Sequence, residues 1–312
     1  MLLLNAFAQG AALMRGRSSD DPQRSYPGNR PSATILLDRL DARSLGALIA
    51  FYEHRTFANA VLLGINPFDQ FGVELGKEIA RQLSERGYAL VLAARRKDRL
   101  ESLSKELGDA RAVEMDLSKS NAAAKLMADI EANGETVDLL VNNAGFGLIG
   151  RFADLDARRE RQMIDLNVGT LTDLCRAVAP QMVKRKSGAI LNVASTAAFQ
   201  PGPKMAVYFA TKAFVLSLSE ALHEELKPHG IKVSCLCPGP TRTEFGDVAG
   251  FGGNGLFDRV AMNAAEVVAT GLAGLESNRA VVVPGWMNKL TAASGRFAPR
   301  SVVRKIAGAI KY

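Results

Sequence analysis

Tyr208 and Lys212 stand four residues apart in Tyr208-Phe209-Ala210-Thr211-Lys212, and Ser195 precedes the tyrosine by thirteen. On a helix a spacing of four is about one turn, so the phenol and the amine share a face. A phenol titrates near pH 10 and is a poor proton donor or acceptor at neutrality until a nearby ammonium stabilises its phenolate. Lys212 is placed to do that. A serine hydroxyl can meanwhile hold a carbonyl or alcohol oxygen, and the three together suit proton movement coupled to hydride transfer at carbon. Ser195 follows the apolar run Ala189 to Ala194, at the carboxyl end of an expected strand, where open α/β sheets place ligands. No metal-ligating constellation competes with this one. Cys175, Cys235 and Cys237 contain a single C-x-C and no disulfide framework, which points to a reducing compartment, and the chain reads as cytoplasmic.

Positioning these groups requires a frame, and from Val61 onward strand-like and helix-like stretches alternate. Strands are expected at 60–65, 88–94, 111–115, 137–141, 188–194, 231–237 and 280–283. Helices are expected at 73–86, 98–107, 118–133, 157–184, 206–227 and 264–275. Runs such as Ala89-Leu90-Val91-Leu92-Ala93 are apolar throughout, as in strands covered on both faces. The fold class is therefore α/β, a Rossmann-like doubly wound parallel sheet of about seven strands. Cys235 and Cys237, two apart on one strand, face the same side and read as core. Before this frame, residues 3–14 and 42–55 read as helices, 16–31 as a loop and 33–37 as a strand, making an N-terminal helical appendage. Between Thr241 and Asp258, glycines and Phe245, Phe251 and Phe257 suit a lid over an apolar pocket.

With 312 residues, 47 % apolar and 23 % charged, the chain is neither disordered nor coiled coil nor collagen-like. Its longest apolar runs are too short to span a bilayer, and residues 1–14 lack the basic start of a secretory leader. The net charge is +7, and the stretch after Glu276 holds seven cations and no carboxylate. Such a tail reads as a solvated helix or a flap near an anionic cofactor, with weak contact to a membrane surface as its other use. The expected partner is a small carbonyl or alcohol substrate, with no nucleic acid and no transmembrane segment.

Several further motifs fall in order with the serine, tyrosine and lysine: Asn142-Asn143-Ala144-Gly145, Asp116 in Glu114-Met115-Asp116-Leu117, Asn167 in Asp165-Leu166-Asn167-Val168, and Pro238-Gly239 with Thr243 beyond. On these residues the stretch from about 80 to 312 resembles a short-chain dehydrogenase/reductase. The resemblance implies Tyr208 as general acid/base, Lys212 as its activator and ribose contact, Ser195 as the substrate-oxygen donor and Asn167 as a relay residue. It also implies that Asp116, Asn143, Ala144 and Gly145 line the adenosine side of a dinucleotide and that Pro238, Gly239 and Thr243 line the nicotinamide side. Strand 88–94 ends in Arg95-Arg96 where an NAD-binding chain would carry an acidic residue, so the two guanidiniums favour the 2′-phosphate of NADP(H), with NAD(H) less favoured. The family further implies a homodimer or homotetramer built through helices 157–184 and 206–227.

The family's opening turn, T-G-x-x-x-G-x-G, is absent. Gly76 fits its last glycine, but the earlier two fall on Gln70 and Glu74, a carboxylate where phosphates would sit. Residues from about 3 to 80 instead resemble the C-terminal region of a glucose-6-phosphate isomerase, on Gly28-Asn29-Arg30-Pro31, Leu45 to His54 and Phe68 to Lys77. That family's catalytic glutamate and histidine lie in the longer part that has no counterpart here. The sequence therefore reads as an isomerase fragment, 1–58, joined to a reductase domain, 59–312, whose first strand is a substitute at 60–65. Impaired cofactor binding, an inactive reductase-like binding protein and residual sugar-phosphate isomerisation through Lys77 stand as alternatives.

Overall fold

The structure, a computed structural model, describes residues 71–242, 262–297 and 300–309. The chain divides into two units, Met1–Ile65 and Asn66–Tyr312, and every described residue belongs to the second. The elements expected at 3–14, 33–37, 42–55 and 60–65 lie outside the described residues, as do Gln70, Thr243 and most of the expected lid.

Helix α1 (Phe71–Glu85) is followed by strand β1 (Leu90–Ala94), α2 (Lys97–Leu107), β2 (Ala110–Glu114), α3 (Ala122–Ala132) and β3 (Leu139–Asn142). Next come α4 (Ala157–Ile164), a π-helical turn (Asp165–Thr170) and α5 (Leu171–Arg185), one continuous helical run where the sequence predicts a single α-helix. Then follow β4 (Gly188–Val193), α6 (Ala206–Leu226), β5 (Ile231–Leu236), the two-residue β6 (Thr241–Arg242) and β7 (Met262–Asn263), α7 (Ala264–Glu276), β8 (Val281–Val282), α8 (Trp286–Phe297) and α9 (Arg300–Ala309). Local chemistry sets several boundaries. Asp156 caps α4 by accepting from the Arg158 amide at 2.8 Å, and Asn263 caps α7 by accepting from the Ala265 amide at 3.0 Å. Gly108, at φ 77°, closes α2 in a conformation that side chains resist.

All strand pairs are parallel. One sheet has the order β3-β4-β5-β8, a second is β1-β2, and β6 pairs with β7. Residues alternate between two apolar layers, as a sheet covered on both faces requires. On one side Leu191, Val193 and Leu236 meet Leu75, Ile79 and Leu83 of α1 and Val267, Val268 and Leu272 of α7. On the other, Ile190, Val233 and Cys235 meet Val178 and Met182 of α5 and Val215 of α6. This is the doubly wound α/β arrangement.

β1 and β3 are not hydrogen-bonded to each other, yet they contribute to the same layers on both faces. Leu90 joins Leu139 and Val141 on one, and Val91 and Ala93 join Leu140 on the other. Their apolar residues are half-buried, whereas the corresponding residues of β4 and β5 are buried. Among the described residues no strand occupies the interval between them.

Candidate functional site

The carboxyl ends of β4 and β5 are tied together. The Ala194 amide donates to Leu236 O and the Thr196 amide to Pro238 O, each at 2.8 Å. Ser195 lies at this junction in extended backbone, its Oγ accepting from the Ala197 amide at 3.1 Å and standing 3.4 Å from Pro238 O. The same hydroxyl faces the phenol of Tyr208 and favours its ionised form. Tyr208 projects from the first turn of α6, and one turn later Lys212 is buried, its Nζ donating to Val193 O at 2.9 Å. The ammonium sits 5.8 Å from the centre of the tyrosine ring. Serine, tyrosine and lysine are thus brought together as their spacing predicts.

The electrostatics differ from the expectation in one respect. Burial pushes the Tyr208 phenol above its ordinary value, and the Ser195 hydroxyl offsets only part of that shift. The lysine ammonium, which donates to the Val193 carbonyl, does not counter that rise. Lys212 itself is lowered to about 8, chiefly by burial, against the opposing influence of the neighbouring Cys235 and Cys237 thiols. Those thiols are buried, 3.7 Å apart, in the apolar layer under α6, as expected of core residues. The resulting pair is a protonated phenol beside an easily deprotonated amine.

Asn167 lies inside the π-helical turn and is buried. Its amide nitrogen donates to Phe146 O at 2.9 Å and to Thr211 Oγ1 at 3.1 Å, and its oxygen accepts from the Phe146 amide at 3.1 Å. The side chain therefore clamps the loop after β3 against α6. Gly145 is needed there, since a Cβ would lie 2.9 Å from Asn167 Oδ1. Gly147 supports the Tyr208 ring, with Cδ2 only 3.0 Å from where a Cβ would stand. Beneath the loop, Asn142 donates to Asn192 Oδ1 and Asn192 to Ser219 Oγ, both at 2.9 Å, a buried chain linking β3, β4 and α6.

Of the remaining expected residues, Ala144 is exposed and Asn143 half-buried on the same loop. A Cβ on Gly76 would lie 2.8 Å from Asn143 Nδ2, so α1 approaches this loop at the position of the glycine. Glu74, in the first turn of α1, pairs with Lys77 Nζ at 2.8 Å. Arg95 and Arg96 follow β1, and Asp116 lies just beyond β2. Burial raises the Asp116 carboxyl, but hydrogen bonds from the Ser118 hydroxyl and amide and the charge of Arg95 outweigh it and hold the group below its ordinary value. Pro238 and Gly239 are buried, and the Asn288 amide of α8 lies so close to Gly239 that no Cβ fits. Asn288, Phe146 and Gly147 carry no spacing signal that would single them out in the sequence. Among the described residues no group of histidine, cysteine or carboxylate side chains could hold a metal ion, and no helix is long and apolar enough to cross a membrane.

The short chain dehydrogenase family matches residues 72–249 and the phosphoglucose isomerase family residues 1–92. The two overlap from α1 into β1, so the seam is a shared stretch and the isomerase part stands at the N-terminal end of this chain. A short-chain dehydrogenase from Sphingobium yanoikuyae, solved in complex with NADPH, is 33 % identical, over 76 % of this chain and 92 % of its own, with a TM-score of 0.63. A bulky-bulky ketone specific alcohol dehydrogenase from Comamonas testosteroni is 28 % identical over 76 % and 90 %, with a TM-score of 0.62. The glucose-6-phosphate isomerase of Rhizorhabdus wittichii is 79 % identical over 86 residues, 28 % of this chain. That of Sphingopyxis alaskensis is 75 % identical over 84 residues. The chain spans only 17 % of the length of either isomerase. With the dehydrogenase match covering more than half of the sequence and the doubly wound fold shared with the Sphingobium enzyme, the chain is a member of the short-chain dehydrogenase family.

Proposed function

We propose that the protein is an NADP-dependent oxidoreductase that interconverts a carbonyl and an alcohol. The observation that carries this reading is the convergence of Ser195, Tyr208 and Lys212 at the carboxyl ends of β4 and β5. The residues present suit the dinucleotide. Arg95 and Arg96 offer guanidiniums to a 2′-phosphate, and ionised Asp116 can accept hydrogen bonds from the adenosine side, where Gly145 would also lie. Asn143 and Ala144 extend that lining, and Pro238, Gly239 and Thr243 take the nicotinamide side. Glu74, the misfit, has its charge countered by Lys77. The NADPH of the Sphingobium relative accords with this choice over NAD(H).

When bound, NADP(H) supplies or accepts the hydride at carbon. For reduction, Ser195 holds the carbonyl oxygen by hydrogen bond and Tyr208 delivers its proton to that oxygen, giving the alcohol. The raised phenol suits this donor role, because it remains protonated at neutral pH. Lys212 then faces the developing phenolate and can pass a proton to it, and Asn167 holds the Phe146 loop and Thr211 in place for both. Oxidation reverses these steps. The reading includes a reductase domain over 59–312 with its first strand drawn from 60–65, a helical appendage over 1–58, a homodimer or homotetramer, and a cytoplasmic location in keeping with three free cysteines.

Titration of the purified chain with NADPH and NADH, followed by nicotinamide fluorescence, tests the cofactor assignment. NADPH is expected to bind at least about tenfold more tightly, with the preference lost in Arg95→Glu/Arg96→Glu. Tyr208→Phe is expected to keep NADPH binding within about twofold while lowering carbonyl reduction by roughly 10²–10⁴. A folded sample that binds neither cofactor refutes the reading and supports a reductase-like binding protein. Residual isomerase activity is tested by fructose 6-phosphate conversion against Lys77→Ala.

A further inference from the structure

We propose that helix α8 docks this protein onto an anionic lipid surface. Asn288 and Ala292, one turn apart, are buried and fix the inner face of α8, Asn288 also donating to Pro284 O at 2.9 Å. The outer face is consequently made of Trp286, exposed by 73 %, and Leu290, exposed by 63 %, flanked by Met287 at 45 % and by exposed Lys289. Three large apolar side chains in little more than one turn form a patch, unlike the single exposed residues Tyr88, Phe152 and Phe214. Helix α9, next in the chain, carries exposed Arg304 and Lys305, and its Ala307 is buried. Beyond Glu276 the chain has seven cations and no carboxylate.

That charge selects the occupant. A second copy meeting this face across a two-fold axis would set Lys289 against its own duplicate, with no carboxylate after Glu276 in the sequence to pair it. A nucleic acid backbone would use the cations and leave Leu290 and Met287 without a role. A bilayer interface uses both sets, because a tryptophan and aliphatic side chains enter the headgroup boundary while lysine and arginine meet lipid phosphates. The docking does not depend on the catalytic reading, since none of the proposed catalytic residues takes part in it.

Trp286 is the single tryptophan of the chain, so its emission reports on this face alone. The full-length protein is mixed with phosphatidylcholine vesicles, with and without phosphatidylglycerol, and followed by tryptophan emission and co-sedimentation. The expected result is a blue shift and co-sedimentation with the anionic vesicles, at least about tenfold stronger than with neutral ones and reversed by salt. Leu290→Glu and Lys289→Glu are each expected to weaken binding by about tenfold without changing the melting temperature, because both side chains are exposed. Absence of a shift, co-sedimentation indifferent to Leu290→Glu, a shift that grows with protein concentration in the absence of vesicles, or an equal shift with a soluble polyanion would each overturn the proposal.

Discussion

At the scale of single residues, Lys212 couples stability to the proposed chemistry. Its ammonium is lowered from 10.5 to about 8 because it is buried. Between those values an unfolded lysine still holds its proton and the folded one has released it, so raising the pH through this window stabilises the fold. Below pH 8 the full burial penalty is present. The gain amounts to about 3 kcal/mol at most. Thermal melts of the wild type and of Lys212→Met across pH 7 to 10.5 should therefore show the wild type gaining on the variant as pH rises; a constant difference would refute the assigned cause. The sequence placed this amine beside the phenol correctly through their helical spacing. It did not disclose that the amine would be directed to Val193 O, because that carbonyl belongs to a strand brought there by tertiary packing alone.

At the scale of elements, the close approach of α8 to the turn after β5 makes a specific demand. Gly239→Ala would drive a methyl group into the buried Asn288 amide and is expected to destabilise the protein by about 1–3 kcal/mol in denaturant titrations. Asn288→Ala in the same chain should recover most of the loss, a compensation that a merely propensity-based effect would not produce. The positions of β1 to β5 were legible, most of them as largely apolar runs, with ends displaced by one or two residues. The π-helical turn around Asn167 was not, since a single inserted backbone residue leaves hydrophobic periodicity almost unchanged, and such turns recur where a side chain must be re-aimed. Helix α1 was readable under two families at once. Its inner residues Leu75, Ile79 and Leu83 satisfy the sheet whichever ancestry is assigned to Glu74 and Lys77.

At the scale of the molecule, β1 and β3 contribute to the same two apolar layers while, among the described residues, they share no hydrogen bonds. On the proposal that residues 60–65 supply the intervening strand, Leu62→Pro removes a ladder donor at the centre of a sheet and should destabilise the whole reductase domain by roughly 3 kcal/mol or more. The same substitution should barely change the melting temperature if that segment lies elsewhere. A different consequence follows from the parallel bridge of β6 with β7, which ties Thr241–Arg242 to Met262–Asn263. The two ends of the connection are thereby held side by side. The entropy lost in tying the ends of a connection rises only with the logarithm of its length, about 0.6 kcal/mol for each doubling. Evolution or design can therefore lengthen, shorten or exchange the connection as a cassette while the sheet keeps its stability.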